Sequence, residues 1–579
     1  MSFDEETENI TRIITLKNAV EHDGKAMVDT VIAKIAASKP NLRSDLTNVI
    51  PDIKILVEKI NSLSLADQKA FLEEIAPEEL KERKKVYEAG QSQLPPLQGA
   101  TMGNVVTRFP PEPNGYPHLG HAKAAIIDEQ YARLYKGKLI LRFDDTNPVN
   151  EKLEYYEAIN EGLEWLGVKP NVTKNTSDDI QLLYEYGKKL IMADGAYVCT
   201  CPQRKIHDLR ANGLPCECRK DPAVAIERFR KVLDGYFGQN DAIVRFKGDM
   251  SDQNTTMRDP TLFRILEANH PKLGNRIRVW PTYDFAAPIE DSLDGVTHAM
   301  RTKEYELRNE LYFAILDRLG LRKPIMIEFS RLEFDGIPVS KRKIKPLIEG
   351  GIIKSWDDPR LPTLMAMRKR GFLPEAIRQF VLSLGMTRAE TKPPFEALEA
   401  FNRKIIDPQC IRLFFVNDPV ELHIKNINSS NEIILKNHPN KDFGFRKVKV
   451  SNSFYISNED AIKLNVGDEI RLMELYNIKI VEIKSEDHKK LLIANSIGDQ
   501  LKQAIPKIQW VANDNIVPFK VLIARQLYIG EVYNIDSLKI SEGFAEAFVS
   551  TLEYGTIFQF VRFGFCRLDE NNTAIFSHR

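Results

Sequence analysis

Two histidines separated by Leu-Gly, His118 and His121, follow a turn rich in proline and glycine. The turn connects a β-branched stretch at residues 105–109 to a helical pattern at residues 122–135. At a helix start, unpaired backbone N–H groups and the positive end of the helix dipole attract phosphate. The two histidines could donate to phosphate oxygens, and Gly120 would leave room for a nucleotide against the backbone. The pattern indicates nucleotide binding, although an isolated HxGH tetrapeptide also occurs by chance.

Four of the six cysteines fall within twenty residues and form two CxC pairs around a turn-rich segment. Such pairs could bring four thiolates around one tetrahedral Zn²⁺, and four ordinary thiols are the alternative. Four protein ligands leave no open coordination position, so we expect a structural rather than a catalytic zinc. The four residues are Cys199, Cys201, Cys216 and Cys218.

Length and composition restrict the class of protein. A chain of 579 residues is too long for one hydrophobic core, and about four domains are expected. With 28% charged and 43% hydrophobic residues, a soluble globular protein is predicted. No apolar run approaches a membrane span and residues 1–17 lack a signal-peptide core, so we expect a cytoplasmic protein with no membrane partner. A formal net charge of zero argues against indiscriminate coating of nucleic acid.

The first part of the chain is predicted to be helical. Over residues 1–90, apolar residues recur with a spacing near that of a helix turn at 26–37, 50–62 and 66–74. Residues 91–104 contain the proline and glycine of a linker. We therefore expect a separate N-terminal helical extension.

The elements that must position the histidines follow the linker. Strands alternate with helices over residues 105–196 and again over 278–344, which predicts one parallel sheet interrupted by an insertion at 197–277. Residues 345–415 return to a helical pattern. In residues 416–579, short segments of alternating apolar and polar residues are separated by frequent turns, and this pattern predicts β-barrels.

The chain resembles the class I aminoacyl-tRNA synthetases. The resemblance begins at His118-Leu119-Gly120-His121 and continues at Pro338-Val339-Ser340-Lys341-Arg342-Lys343, which is similar to the lysine-bearing signature loop of that family. The motifs at residues 108–121, 144–148 and 283–285 narrow it to the glutamyl and glutaminyl branch. Length and C-terminal character are most similar to the archaeal-type glutamyl members.

The resemblance implies a multidomain α/β fold. A Rossmann-like catalytic domain would carry an inserted domain that grips the acceptor end of tRNA, and C-terminal β-barrels would bind the anticodon. The N-terminal extension could dock a protein partner, although a stabilising appendage is the simpler expectation. Within the C-terminal region, we expect Trp510 to be a core residue rather than a base-stacking platform.

The implied reaction uses ATP with Mg²⁺ to convert a carboxylate to an acyl-adenylate, and a terminal ribose hydroxyl of tRNA then takes the acyl group. Catalysis of this kind depends on positioning and on stabilising charge on phosphate oxygens. The loop departs from the family pattern at Pro338 and at Val339, where methionine is common, but its charges are kept. The resemblance implies that His118, His121 and Lys341 are catalytic. The implied ATP-binding set is His118, Gly120, His121, Ser340, Lys341, Arg342 and Lys343.

The resemblance also implies an amino-acid site formed by Arg108, Asp144, Tyr283 and Arg301. Asp144 would accept hydrogen bonds from the substrate α-amino group, whereas Asp145 either touches substrate or caps the following turn. Arg301 stands where glutamyl members carry arginine and glutaminyl members carry a smaller uncharged residue. A guanidinium offers paired donors to a carboxylate, and glutamine would face it with another donor. The mismatch should cost roughly 3 to 5 kcal/mol, or ~10² to 10³-fold or more in selectivity.

Four other interpretations stay open at the level of sequence. The nearest is a glutaminyl-tRNA synthetase, because the sequence motifs at residues 111–115 and 144–148 also fit glutaminyl members. A glutamyl enzyme could charge tRNA-Gln as well as tRNA-Glu. An HxGH nucleotidyltransferase and a non-catalytic RNA-binding protein are more remote alternatives. L-Glutamate, ATP and tRNA-Glu are the expected partners.

One basic segment is relevant to RNA. Residues 341–370 contain nine lysines and arginines against three acidic residues. The segment follows the phosphate loop, so contact with the RNA backbone is predicted, and a solvated helical face is the alternative. The resemblance also bears on the cysteines, because some glutamyl synthetases carry a zinc site of similar CxC design.

Overall fold

The computed structural model divides the chain into two compact units, Met1–Ser92 and Gln93–Arg579. The structure describes residues 5–21, 24–38, 46–76, 94–219, 221–339, 341–390, 392–427, 431–486, 489–502, 505–570 and 572–579. In this part of the chain, no helix combines the length and apolar character needed to cross a membrane.

The first unit is built from helices whose apolar residues share one core. Leu16, Val31, Ile53 and Val57 are buried there. Ser64 accepts a hydrogen bond from the Asp67 N–H at 3.2 Å and so satisfies one of the unpaired donors at the start of the last helix. Three of the helices match the predicted segments, and the first was not predicted. They are α1 (Glu5–Glu21), α2 (Val28–Ser38), α3 (Leu46–Asn61) and α4 (Leu65–Ile75).

The second unit begins with alternating strands and helices, as the sequence predicts. The elements are β1 (Val106–Phe109), α5 (Leu119–Leu134), β2 (Lys138–Phe143), α6 (Leu153–Trp165), β3 (Val172–Asn175) and α7 (Ile180–Met192). The three strands form a parallel sheet in the order β1-β2-β3. The first two strands are largely buried, whereas β3 at the end of this order is partly exposed.

A four-stranded antiparallel sheet follows in the chain. It is formed in sequence order by β4 (Ala196–Cys199), β5 (Ile243–Phe246), β6 (Thr261–Ile265) and β7 (Val279–Pro281). Helices α8 (Gln203–Ala211) and α9 (Pro222–Leu233) lie between its first two strands in sequence. Tyr197, Phe229, Phe263 and Trp280 are fully buried in its core.

The parallel pattern resumes after this insertion. Helix α10 (Tyr283–Leu293) leads to β8 (His298–Thr302), and α11 (Asn309–Leu319) leads to β9 (Ile325–Phe329), which pairs with β8 in parallel. Thr297 joins the two parts, because its N–H donates to the Val106 carbonyl and its hydroxyl accepts from the Val106 N–H, both at 2.9 Å. The carboxyl ends of β1, β2, β3, β8 and β9 are where a doubly wound sheet binds ligands.

Helices then lead to the C-terminal strands. They are α12 (Lys341–Glu349), α13 (Leu364–Lys369), α14 (Pro374–Leu384) and α15 (Phe395–Ile406). The sequence prediction of helices over 363–370 and 375–384 is confirmed. Phe372 and Phe380 are buried in the same core cluster as Leu119 of the histidine helix, so α14 and the turn before it share a core with that helix.

The C-terminal region contains two sheets of seven strands each. Trp510 is buried between Phe414 and Phe454, and its indole N–H donates to the Met473 carbonyl at 2.8 Å, so the core prediction for Trp510 is confirmed. The elements, including two separate hairpins and one helical turn, are β10 (Arg412–Leu413), β11 (Phe415–Asn417), β12 (Pro419–Ile424), β13 (Asn431–Lys436), β14 (Phe445–Val450), β15 (Ser453–Ser457), α16 (Asn458–Ala461), β16 (Glu469–Leu472), β17 (Asn477–Glu486), β18 (Lys489–Ser496), β19 (Lys507–Ile508), β20 (Val511–Ala512), β21 (Ile516–Ala524), β22 (Tyr528–Ile529), β23 (Val532–Tyr533), β24 (Leu538–Glu546), β25 (Ile557–Phe560), β26 (Gly564–Leu568) and β27 (Thr573–His578). The strand orders of the two sheets are β10-β25-β26-β27-β21-β24-β11 and β19-β16-β17-β18-β12-β15-β20.

Candidate active site

A cleft of about 1870 Å³ opens at the carboxyl ends of the parallel strands. Its walls bring together side chains that are far apart in the sequence, from β1, the start of α5, the end of β2, the start of α10 and the end of β8. The predicted site residues that line this cleft are Arg108, His118, Gly120, His121, Asp144, Tyr283, Arg301 and Lys343.

The two histidines hold the first turn of α5. The imidazole Nδ1 of His118 accepts from the Gly120 N–H at 3.1 Å, and Nδ1 of His121 accepts from the His118 N–H at 3.2 Å. Together they form a reciprocal cap on two of the N–H groups that a helix start leaves unpaired. The rings are close to each other, with centroids 3.9 Å apart.

These contacts fix the protonation of both rings. Burial and the neighbouring His121 lower the pKa of His118 well below its usual range, and burial lowers the pKa of His121 to about 4. Each Nδ1 accepts a backbone hydrogen bond, so the single proton of each neutral ring belongs on Nε2. The histidine end of the cleft therefore offers two neutral N–H donors.

The position of the His118 ring requires a glycine at residue 120. A Cβ added at this position would lie 2.8 Å from Cε1 and 3.0 Å from Nδ1 of the His118 ring. The same Cβ would come within 3.4 Å of Val339, which belongs to the basic signature loop. Glycine thus lets the capping ring and the beginning of the loop both approach the helix start.

The basic loop continues from Val339 into α12, whose first residue is Lys341. Ser340 lies outside the described residues, as do the side chains of Lys341 and Arg342. Of the loop residues predicted to bind ATP, Lys343 lines the cleft.

A hairpin of the C-terminal region also reaches the cleft. Gly530 and Glu531 at its turn are among the lining residues. The Tyr528 N–H donates to the Gly336 carbonyl at 3.0 Å, and a Cβ on Gly336 would lie only 2.4 Å from the Tyr528 carbonyl oxygen. Leu527 is fully buried beside the apolar face of α12. The segment preceding the basic loop is thus held against the C-terminal strands.

The opposite end of the cleft rests on buried charges. Arg108 donates from Nε to both carboxylate oxygens of Asp291, at 3.1 and 3.2 Å, and from another nitrogen to the Met300 carbonyl at 2.6 Å. Arg142 donates to the same Asp291 carboxylate at 2.8 Å, and the Tyr312 hydroxyl donates to it at 2.9 Å. Burial alone would raise the pKa of Asp291, but the two guanidiniums hold it below its usual range. Two buried arginines therefore share one buried carboxylate.

Asp144 extends this network into the cleft. Its carboxylate accepts from Nε of Arg142 at 2.9 Å and from the Thr176 hydroxyl at 3.1 Å. Burial raises the pKa of Asp144 in spite of the Arg142 charge. Asp145 points elsewhere, because its buried carboxylate accepts from the Ser177 N–H at 2.8 Å and from the Tyr156 hydroxyl at 2.7 Å. Of the two expectations for Asp145, the structure therefore supports a role in holding the chain.

Arg301 differs from the other two arginines. It is 7% exposed, and among the described residues it forms no ion pair with a carboxylate. One nitrogen donates to the Tyr283 hydroxyl at 3.4 Å, another donates to Oδ1 of Asn309, and Nε is buried without a partner. The ring of Tyr305 lies 5.9 Å from the guanidinium carbon. A positive charge at the cleft wall is thus held by neutral groups only.

The sequence analysis missed several residues of this site. Asp291 and Arg142 form its buried framework, and Asn309 contacts Arg301. Lys123 lines the cleft, and its ammonium group donates to the Ser330 carbonyl at 2.5 Å. A signal existed for Arg142 and Asp291, since each interrupts an otherwise apolar face of a strand or helix. Asn309 carried no signal, because a polar residue at the first turn of a helix is ordinary.

The four predicted metal ligands come together in the inserted region. Their sulfur atoms all lie within 4.8 Å of one another, and the Cys201–Cys216, Cys199–Cys216 and Cys201–Cys218 pairs are 3.3, 3.6 and 3.7 Å apart. The Cys218 N–H also donates to the Cys216 sulfur at 3.3 Å. Tetrahedral Zn²⁺ with bonds of about 2.3 Å would space its sulfurs by about 3.8 Å. The donor set and its dimensions therefore fit one zinc ion.

Two of the nine basic residues at 341–370 are buried, and the prediction that this segment contacts the RNA backbone stays a prediction for the others. Arg360 is buried and forms a paired contact with the Asp358 carboxylate, at 2.8 and 2.7 Å. Arg370 is buried against the rings of Phe372 and Phe395. These two arginines stabilise the fold instead of facing solvent, because each is enclosed by the elements around it.

Comparisons with known proteins cover almost the whole chain. The family model for the catalytic domain of the class I tRNA synthetases (E and Q) matches residues 104–408, and two models for the anticodon-binding domains of the same group match residues 410–495 and 507–569. A glutamate–tRNA ligase of Cenarchaeum symbiosum is 47% identical over 98% of each chain. One of Pyrococcus furiosus is 39% identical over 99% of this chain and 100% of its own. The crystal structure of the glutamate–tRNA synthetase from Elizabethkingia anophelis matches 52% of this chain and 70% of its own, with 21% identity and a TM-score of 0.40.

Proposed function

The chain belongs to the class I tRNA synthetases (E and Q) and is a glutamate–tRNA ligase, and we propose that Arg301 is the group with which it recognises the side chain of glutamate. The observation that carries this proposal is the contrast among the three arginines near the cleft. Arg108 and Arg142 share Asp291, whereas Arg301 has only neutral contacts and lines the cleft. A nearly buried guanidinium without a carboxylate needs one, and substrate would supply it.

At this end of the cleft, each proposed contact has its own partner. Asp144, fixed by Arg142 and Thr176, accepts hydrogen bonds from the α-ammonium group of glutamate. The hydroxyl of Tyr283 lies against Arg301 and shares the side-chain carboxylate. Arg108 also lines the pocket. Part of its guanidinium is bound by Asp291 and the Met300 carbonyl, and the rest can face the substrate.

At the other end, the protein positions ATP, which the family uses with Mg²⁺. The Nε2–H groups of His118 and His121 donate to phosphate oxygens, and the first turn of α5 adds its N–H groups and dipole. By its place in the family loop, Lys341 holds the departing pyrophosphate, with support from Ser340, Arg342 and Lys343. The α-carboxylate of glutamate attacks the α-phosphorus of ATP, pyrophosphate leaves, and the acyl group passes from the adenylate to a ribose hydroxyl at the 3′ end of tRNA.

The remaining regions serve the tRNA. The inserted region with its antiparallel sheet grips the acceptor end, and zinc held by the four cysteines fixes the two CxC turns there. The C-terminal sheets bind the anticodon, and tRNA-Glu is the acceptor. For the N-terminal helical unit, a stabilising appendage is the simpler role, and docking of a protein partner is the alternative.

Aminoacylation with labelled glutamate and labelled glutamine, using tRNA-Glu and tRNA-Gln transcripts, tests the proposal. Glutamate should be transferred to tRNA-Glu, and glutamine should be accepted at least ~10²-fold less well. Transfer of glutamate to tRNA-Gln as well would mean a ligase that does not discriminate between the two tRNAs, with the Arg301 assignment intact. Efficient transfer of glutamine to tRNA-Gln would overturn that assignment.

A further inference from the structure

The pairing of two strands places a negative charge next to Arg301. Strands β8 and β9 are parallel, and their register sets Arg301 opposite Glu328. Side chains of directly neighbouring residues in adjacent strands project from the same face, so an arginine and a glutamate in this arrangement ordinarily form an ion pair. Glu328 is also largely buried, with a side chain 8% exposed. The expected pair is nevertheless not formed between these two described residues.

Asn309 stands between the two charges. It lies in the first turn of α11, and its Oδ1 accepts from the Arg301 guanidinium. Its Nδ2 donates to Oε1 of Glu328 at 2.5 Å. Because arginine only donates and a carboxylate only accepts, the two contacts leave one orientation for the amide, with oxygen toward Arg301 and nitrogen toward Glu328.

Glu328 is balanced from its other side. Its Oε2 receives an ion pair from Arg388 at 3.1 Å, and Arg388 also donates to Glu306 at 2.5 Å. The carboxylate of Glu328 is thus bound by Asn309 and Arg388. The charge of Arg301 is not neutralised by Glu328 and faces the cleft. An asparagine is suited to this place, since an aspartate would neutralise the guanidinium that it orients.

We propose that Asn309 is a positioning residue for glutamate recognition, which orients Arg301 and keeps the carboxylate of Glu328 from pairing with it. The inference rests on the proposed role of Arg301. If the amide were removed, Glu328, which lies opposite Arg301 in the strand register and bonds to the same amide, would compete with the side-chain carboxylate of the substrate. Asn309 would then set the affinity for glutamate without touching glutamate.

The test is a double-mutant cycle with steady-state kinetics of the full-length protein. Asn309→Ala should raise KM for glutamate about 10-fold, with KM for ATP within about 2-fold of wild type, because one charge-assisted contact is competed away. In Asn309→Ala/Glu328→Gln the competing charge is gone, so KM for glutamate should return to within about 3-fold of wild type. Asp317→Asn, on the exposed end of the same helix, is the matched control.

Asn309→Asp keeps the shape of the side chain and serves if the alanine variant folds poorly. It should raise KM for glutamate more than Asn309→Ala, by about 100-fold, since it puts a carboxylate directly on Arg301. The preference for glutamate over glutamine should fall in the same order, whereas a merely structural role would change kcat and both KM values together.

Two results would contradict the proposal. A double variant no better than Asn309→Ala would show that Glu328 does not compete, and an unchanged KM for glutamate in both Asn309 variants would remove Asn309 from the mechanism. Arg301→Gln, measured alongside, separates this failure from that of the proposed function. If Arg301→Gln raises KM for glutamate and the Asn309 variants do not, only the inference about Asn309 is wrong.

Discussion

At the histidine end of the cleft the hydrogen-bond donors are neutral, whereas at the arginine end they carry charge that the surrounding protein has to hold in place. His118 and His121 are kept neutral by burial and are oriented by two backbone contacts within one helical turn. The arginine end draws on β1, β2, α10 and β8, and it needs the buried Asp291 to compensate two of its charges. The first design is local in sequence, and the second depends on the whole sheet.

The comparison also concerns what each end must distinguish. Phosphate oxygens carry charge in every state of the reaction, so neutral donors at a helix start with basic loop residues nearby are sufficient to bind them. Glutamate and glutamine differ only by a carboxylate against an amide, and a fixed positive charge is the simplest group that separates them. The buried charges therefore lie at the end of the cleft that has to distinguish glutamate from glutamine.

Loss of the shared carboxylate should have the largest effect. Asp291→Asn removes the carboxylate with which buried Arg108 pairs and leaves Arg142 with Asp144 and Asp294, which should lower the free energy of unfolding by about 3 kcal/mol or more. Urea denaturation measures it, with Asp317→Asn at an exposed pair as the control that stays within about 0.5 kcal/mol. A similarly small change for Asp291→Asn would show that the arginine end does not depend on this carboxylate.

The next effect should appear at the histidine end. Gly120→Ala places a methyl group 2.8 Å from the His118 ring, so the ring must leave its capping position. Overpacking of this kind costs about 1 to 3 kcal/mol, and we expect glutamate-dependent exchange of pyrophosphate into ATP to slow by about 10 to 100-fold. Gly295→Ala is the control for a loss of stability that does not involve the cap, because φ is positive there and nothing lies within 4 Å of the added Cβ, so the change strains the backbone without a clash. Wild-type exchange by Gly120→Ala would mean that the cap is not needed for activation.

The smallest effect is the one expected from pH. Burial lowers the pKa of His121 to about 4, so between that pH and the ordinary value of about 6.5 the unfolded chain takes up the proton more readily. The contribution of His121 to stability should therefore be constant above about pH 6.5 and should decrease as the pH falls toward 4. Nitrogen-15 spectra of histidine-labelled protein should show His118 and His121 as neutral rings protonated at Nε2 at pH 6. A protonated Nδ1 on either ring at pH 6 would contradict the claim that the histidine end is neutral and capped through Nδ1.

The two ends also differ in how far the sequence predicts them. The histidine end could be predicted almost completely, because its strand, turn and helix are consecutive and the observed α5 begins inside the motif. The caps could not, since nothing in the sequence says that each Nδ1 faces a backbone N–H. At the arginine end, Arg301 was identified by family resemblance, but its environment was not.

The reason is the range of the contacts involved. Arg108 and Asp291 are separated by 183 positions, and a pattern analysis of neighbouring residues carries no information about such a pair. The same limit explains the basic segment, where Arg360 and Arg370 look like surface charges in sequence but are buried in the fold. Helices with a regular apolar pattern, such as α2 and α3, were predicted because their signal is local.

The most direct test of the two-ended cleft is steady-state kinetics of Arg301→Gln, with Arg301→Lys as the variant that keeps charge but not the paired donors. We expect kcat/KM for glutamate to fall by about 100-fold or more in Arg301→Gln, with KM for ATP unchanged within about 2-fold, and Arg301→Lys should lie between this variant and wild type. Equal losses for glutamate and ATP would mean that Arg301 supports the whole cleft. An unchanged kcat/KM for glutamate would contradict the assignment of glutamate recognition to Arg301.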